Sequence, residues 1–247
     1  VEQCGRHQLG ITGYGPERAM LESVLVHTGI YRAGAGGKWR FGPPWQSSGY
    51  GPTWETIDQC LEEARERRLG LDAIWAALAI APIGLPDGPI PVLVTAALLS
   101  HADDVAIYQD GTFQASFGAE LIERLVKTPE RFAVKHFATS GPRRRVVAAV
   151  TARFGSSGAP SEGRNPTLIH ALRPIIRRVR NLPEFAKHTT VIGESARRVR
   201  DALTSATEPD ELLFHTVKRT DVARDRAHLD LFGHCGDLRF KGRDALL

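Results

Sequence analysis

The sequence predicts a mainly α protein, helical through most of its length, with a small β-hairpin and a winged-helix-like module at its centre. Three observations predict it. Apolar residues recur at helical spacing on both sides of the Gly- and Pro-rich breaks. Asp110-Gly111, set between two short β-prone runs, is the strongest hairpin cue in the chain. The last third keeps the helical period while gathering arginine on its polar sides.

Taken in order, Met20, Leu21, Val24 and Leu25 stripe a first helix, and Pro16 suits its first turn. Residues 32–52 are too rich in Gly, Pro and Ser for regular structure, apart from a strand-like stretch at 38–41. Thr53 is a good N-cap for a helix that stripes Trp54, Ile57, Leu61 and Ala64, with Gly70 as its stop. Leu71, Ile74, Trp75 and Leu78 make a short amphipathic helix, broken by "APIGLPDGP". Residues 90–101 read as a buried helix, being too long and too rich in Ala and Leu for a strand. Two short strands flank Asp110-Gly111, a helix follows with Phe117, Leu121 and Leu125 inward, and 132–137 returns as a strand. These are the parts of a winged-helix-like module.

The C-terminal third starts with a helix over 142–154, burying Val146, Val147, Val150 and Phe154, and a loop-like linker at 155–166. Over 167–182, Leu168, Leu172, Ile175, Ile176 and Val179 line one face and Arg173, Arg177 and Arg180 the other; Pro174 predicts a kink or a helix start. A final helix over 194–206 buries Ala196, Val199 and Leu203 and exposes Arg197, Arg198 and Arg200. From Val217 onward, scattered charges without apolar periodicity predict a tail that packs poorly or is disordered. The expected division is a helical region at 1–70, the winged-helix-like module at 71–138, an arginine-rich helical region at 139–216 and the tail at 217–247.

Bulk composition narrows the function. The 247 residues are 42% hydrophobic and 24% charged, ordinary for a globular protein. Cys4, Cys60 and Cys235 are an odd number, too far apart for a metal-ligand spacing, so neither a disulfide framework nor a metal site is expected and a reducing, cytoplasmic setting fits best. The apolar run at 90–100 is short of the ~20 residues a bilayer requires, so no membrane span is expected. Residues 1–8 lack an initiating Met and an apolar core, which predicts no signal peptide and fits a chain that begins inside a longer protein.

"RAGAGGKWRFG" at 32–42 imitates a nucleotide-binding loop without its essentials. Arg32 stands where the first glycine belongs, Trp39 replaces the hydroxyl residue after Lys38, and a helical segment precedes it in place of a buried strand. A glycine turn is the expected reading, and no cofactor is expected in this chain. His234-Cys235 lacks a third orienting group. His101 suits a helix C-terminus, Asp103-Asp104 suits a turn, and His170 and His188 read as surface polar residues. Trp39, Phe41 and Trp45 beside Lys38 and Arg40 fit a tryptophan-rich loop packed on a helix better than a base-stacking platform. No catalytic constellation is recognised.

Charge is the remaining signal. The net charge is +4, and eight Lys or Arg residues stand between 173 and 200 against Glu184 and Glu194. Arg143, Arg144, Arg145, Arg173, Arg177, Arg178, Arg180, Arg197, Arg198 and Arg200 are the candidates for contact with DNA phosphates, with the hairpin tip at 109–112 as the wing. Such a surface would position the protein on nucleic acid without reading sequence.

Three stretches, "GPIPVLVTAALLSHADDVAIYQDGTFQASFGAELIERLVKTPERF", "LRPIIRRVRNLPEFAKHTT" and "SARRVRDALTSATEPDELLF", resemble the region downstream of the ATPase module in very large bacterial ATP-binding proteins of bacteriophage-exclusion-type defence islands. The resemblance runs over about 14–216 and departs after Leu213-Phe214. It implies an ATP-binding half upstream and a non-catalytic fragment that contacts nucleic acid or assembles with other defence subunits. A protein–protein scaffold docked on the ATPase half, without nucleic-acid binding, is the alternative from the residues alone, and an enzyme with an unrecognised site is a third.

Overall fold

The computed structural model describes residues 4–115, 117–137, 147–148, 150–151, 168–204 and 208–209. The linker at 155–166, most of the helix expected over 142–154, and the tail at 217–247 lie outside the described residues, as do Arg143, Arg144, Arg145 and His234-Cys235. What is described is mainly helical with two small antiparallel sheets.

Helix α1 (Pro16–Met20) starts on its proline and runs into a π-helical stretch, Leu21–Val26. Leu21, Val24 and Leu25 are buried, whereas Met20, expected on the same stripe, is exposed because the wider π turn shifts the buried face after it. Thr28 closes the turn, donating its hydroxyl to the Val24 carbonyl at 2.6 Å. The Gly-rich stretch is more regular than its composition predicts: β1 (Tyr31–Ala33) pairs antiparallel with β2 (Trp39–Phe41). Tyr31 anchors this hairpin, fully buried, its hydroxyl donating to the Cys4 and Arg6 carbonyls. Gly36 and Gly37, both at positive φ, turn the chain between the strands.

Helix α2 (Gly51–Glu63) begins before Thr53 and ends well before Gly70, correcting both expected boundaries. Pro52 fits the first turn, Thr53 is buried within the helix, and no side chain caps its start. Gly70 belongs to β3 (Leu69–Gly70), where pairing of Leu69 with Val134, far along the chain, takes the backbone into a strand. Helices α3 (Leu71–Ala79) and α4 (Pro89–Ser100) follow, and α2, α3 and α4 pack on one another. Then come β4 (Val105–Gln109), β5 (Thr112–Phe113), α5 (Ala119–Lys127) and β6 (Phe132–His136), with Phe117, Leu121 and Leu125 buried as expected. The strands form one antiparallel sheet in the order β3-β6-β4-β5.

That sheet separates two cores, and β4 feeds both by strand alternation. Val105 and Ile107 join a core made by the π-helical stretch and α2 to α5, with Phe132 and Val134 of β6. Ala106 and Tyr108 face the other way, into a core with Phe113, Ala115 and Phe137 and with α6 (Leu168–Arg180) and α8 (Glu194–Thr204). The short α7 (Glu184–His188) links those two helices. Leu168, Leu172, Ile176 and Val179 of the expected apolar stripe of α6 are buried, Ile175 is only partly so, Ile169 is buried in addition, and Pro174 lies inside the helix and does not start it. A sheet covered on both faces explains why β4 is buried along most of its length.

Candidate nucleic-acid interface

The hairpin expected at Asp110-Gly111 is formed. Tyr108 pairs with Phe113 and Gln109 with Thr112, leaving a two-residue turn. Asp110 (φ 49°) and Gly111 (φ 78°) both sit in the left-handed region, as a type I′ turn demands. The Asp-Gly pair suits this because Asp tolerates positive φ and Gly adopts it freely.

Four arginines from four segments converge on this tip. Arg131 grips the Asp110 carboxylate with two hydrogen bonds, Nε at 2.9 Å and Nη2 at 2.5 Å, and holds that carboxyl below its usual pKa range. Arg124 of α5 donates to Gln109 Oε1 at 3.3 Å. Arg68, just before β3, donates to the Gly111 carbonyl at 3.1 Å and stacks its guanidinium 3.8 Å from the centre of the Tyr108 ring. Arg180, at the end of α6, donates to the Phe113 carbonyl at 3.2 Å. The hairpin is thus a small loop inside a cationic collar, and Arg180 brings the end of α6 to it.

The arginines singled out by sequence divide by what they touch. Arg177, Arg178 and Arg198 are exposed, and Arg198 pairs with Glu194 one helical turn away. Arg200, expected to be exposed, is only 7% exposed, because it donates to the Thr189 carbonyl at 2.7 Å and the Ala186 carbonyl at 3.3 Å, with Asp201 at 2.9 Å. It fastens α8 to the end of α7. Arg173 and Arg197 are half-buried rather than exposed, and the Nε of each has no hydrogen-bond partner among the described residues. Burial pushes the Arg173 guanidinium down to about 10, against the opposing pull of Asp103. On both helices the 100° spacing turns some of the arginines towards neighbouring elements, which the helical wheel of one segment does not reveal.

Arg68, Arg124 and Arg131 were missed by sequence reasoning. Each lies in an ordinary mixed-charge stretch, and the Asp-Gly turn is the nearest local signal: Arg131, the residue just before Phe132, the strand partner of Gln109, falls opposite Asp110. The pairing of Gln109 with Phe132 sets that proximity, across more than twenty residues of chain.

Helix α4 is the opposite of a charged surface. Ile90, Leu93, Val94, Ala96, Ala97 and Leu98 are buried, no basic residue lies on it, and β2 and the π-helical stretch pack against it. At its end His101 Nε2 lies 3.1 Å from Asp58 Oδ1, a hydrogen-bonding partner from α2. Arg65 donates to His136 Nδ1 at 3.3 Å, and burial, reinforced by Arg65, lowers the pKa of His136. Among the described residues, no group of three His, Cys, Asp or Glu side chains could hold a metal ion, and no helix is long and apolar enough to cross a membrane.

In comparisons with family models, curated proteins and solved structures, the chain matches none.

Proposed function

We propose that this chain is a non-catalytic, cytoplasmic module that contacts nucleic-acid phosphates through the arginine-ringed hairpin, within a large defence-type protein whose ATP-binding half would lie upstream. The observation that carries the reading is the convergence of Arg68, Arg124, Arg131 and Arg180 on residues 109–113. The order of elements supports it: α2, β3, α3, α4, β4 and β6 follow one another with sheet order β3-β6-β4, an order we read as winged-helix-like, with β5 and α5 inserted at the wing and the module expected at 71–138 extended back to α2. In such a core the last helix of the three ordinarily enters a groove. Here that helix is α4, which is buried and uncharged, so the contact falls to the wing and to the exposed Arg177 and Arg178 of α6. Phosphate contacts of this kind fix orientation and carry no sequence information.

The test is anisotropy of a labelled random-sequence DNA duplex titrated with the full chain at two salt concentrations. Each phosphate contact contributes about −0.9 to the slope of log affinity against log salt, so the double charge reversal of Arg177 and Arg178 to Glu should flatten the slope by about 2. Absence of affinity at low salt overturns the reading. It would favour a scaffold instead, for which exposed Phe185 and Val191, 72% and 90% exposed at the α7 end, offer apolar docking points.

A further inference from the structure

Behind the hairpin, a second arrangement of charge faces a single carboxylate. Glu208 lies four residues past the end of α8 and is only 22% exposed. One of its oxygens pairs with Arg68 Nη2. The other accepts from the Tyr108 hydroxyl at 3.2 Å and lies 3.5 Å from Lys135 Nζ. These three donors come from the segment before β3, from β4 and from β6, so the sheet builds the notch and a residue remote in sequence fills it. The donors are held in position independently of Glu208: Arg68 is stacked on Tyr108 and bonded to Gly111, Tyr108 is buried, and Lys135 lies 5.2 Å from the Phe137 ring centre.

We infer that the Arg68–Tyr108–Lys135 notch is an oxyanion site of the phosphate class, and that Glu208 occupies it in cis as a competing carboxylate. Among the described residues, two cations and a hydroxyl converge on this one carboxylate. A planar guanidinium fork, a point-charge ammonium and a hydroxyl donor match the several oxygens of a phosphate better than the two of a carboxylate. Shielding from water strengthens these interactions relative to exposed ones. This inference deepens the phosphate-contact reading and rests on it for the identity of the polymer, because Arg68 belongs to both the collar and the notch.

A cis occupant lowers apparent affinity by the fraction of time the site is empty, so an occupant present about ten-elevenths of the time weakens binding about elevenfold. Calorimetric titration of the full chain with inorganic pyrophosphate tests this. The Glu208→Gln variant should bind about tenfold more tightly than the unmodified protein, and adding Arg68→Gln should remove the gain. Equal affinities with and without Glu208→Gln, or a gain that survives Arg68→Gln, overturn the inference. If Glu208→Gln does not give a native melting transition, Glu208→Asp takes its place: it keeps the charge but withdraws the carboxylate by one methylene, and the same gain is expected. A labelled duplex run in parallel separates the two readings. A pyrophosphate gain with no duplex affinity in either protein keeps the notch and removes the nucleic-acid role. Duplex binding without a pyrophosphate gain removes the notch alone.

Discussion

Replacing Arg200 by Ala should destabilise the protein by about 2–4 kcal/mol and leave any salt-dependent nucleic-acid contact in place. The magnitude follows from what the guanidinium touches. Its bonds to the Thr189 and Ala186 carbonyls are charge-assisted, and a hydrogen bond of that kind is worth about 1.5–3 kcal/mol. Both carbonyl residues are only half-buried, so water can replace part of that, which sets the lower end. The Asp201 partner is 65% exposed and adds about 0–1 kcal/mol. The buried aliphatic stem adds packing that Ala cannot restore. In urea unfolding, with a slope of about 2 kcal/mol per M, the midpoint should fall by about 1–2 M. Arg177→Ala and Arg178→Ala, at exposed positions on α6, should change stability by no more than about 0.5 kcal/mol. If Arg200→Ala instead leaves the midpoint unchanged and lowers duplex affinity, its side chain is a phosphate contact and the fastening role assigned to it is refuted.

Two further outcomes concern the hairpin turn and His136. Gly111→Val should lower stability by about 1–2 kcal/mol, because a β-branched residue at φ 78° pays the left-handed steric penalty that Asn largely avoids; thermal melts showing Val tolerated as well as Asn would contradict the turn. His136 has its pKa lowered first by burial, then by Arg65 and His101, while Asp104 and Glu62 pull the other way. The unfolded chain then binds more protons than the folded one as pH falls through about 6.5, so stability is full above that value and declines as pH drops towards the lowered folded pKa. Urea midpoints between pH 8 and pH 5 should fall for the unmodified protein and flatten for His136→Gln; parallel pH profiles would exclude His136 as the source.

Local chemistry was legible wherever neighbours in sequence decide structure. Asp110-Gly111 marks its own turn, since few residue pairs accept two positive φ angles in succession. The apolar stripes of α3, α4, α5 and α6 named their buried faces. Boundaries failed where a distant strand competed, as at Gly70, and the glycine-rich stretch hid β1, whose pairing with β2 rests on buried Tyr31 rather than on local propensity.

By itself the sequence determined the predominance of helix, the hairpin turn and the apolar character of α4, because each is written in residue type and spacing within a few turns of chain. Only the tertiary structure decided which arginines are surface and which are fasteners, for an arginine's role depends on the carbonyl or carboxylate that a remote element brings within reach. Arg200 is turned inward by α7, Arg131 is aligned with Asp110 by the β4–β6 pairing, and Arg68, Tyr108 and Lys135 become one notch around Glu208 because an antiparallel sheet sets residues side by side that the chain holds far apart.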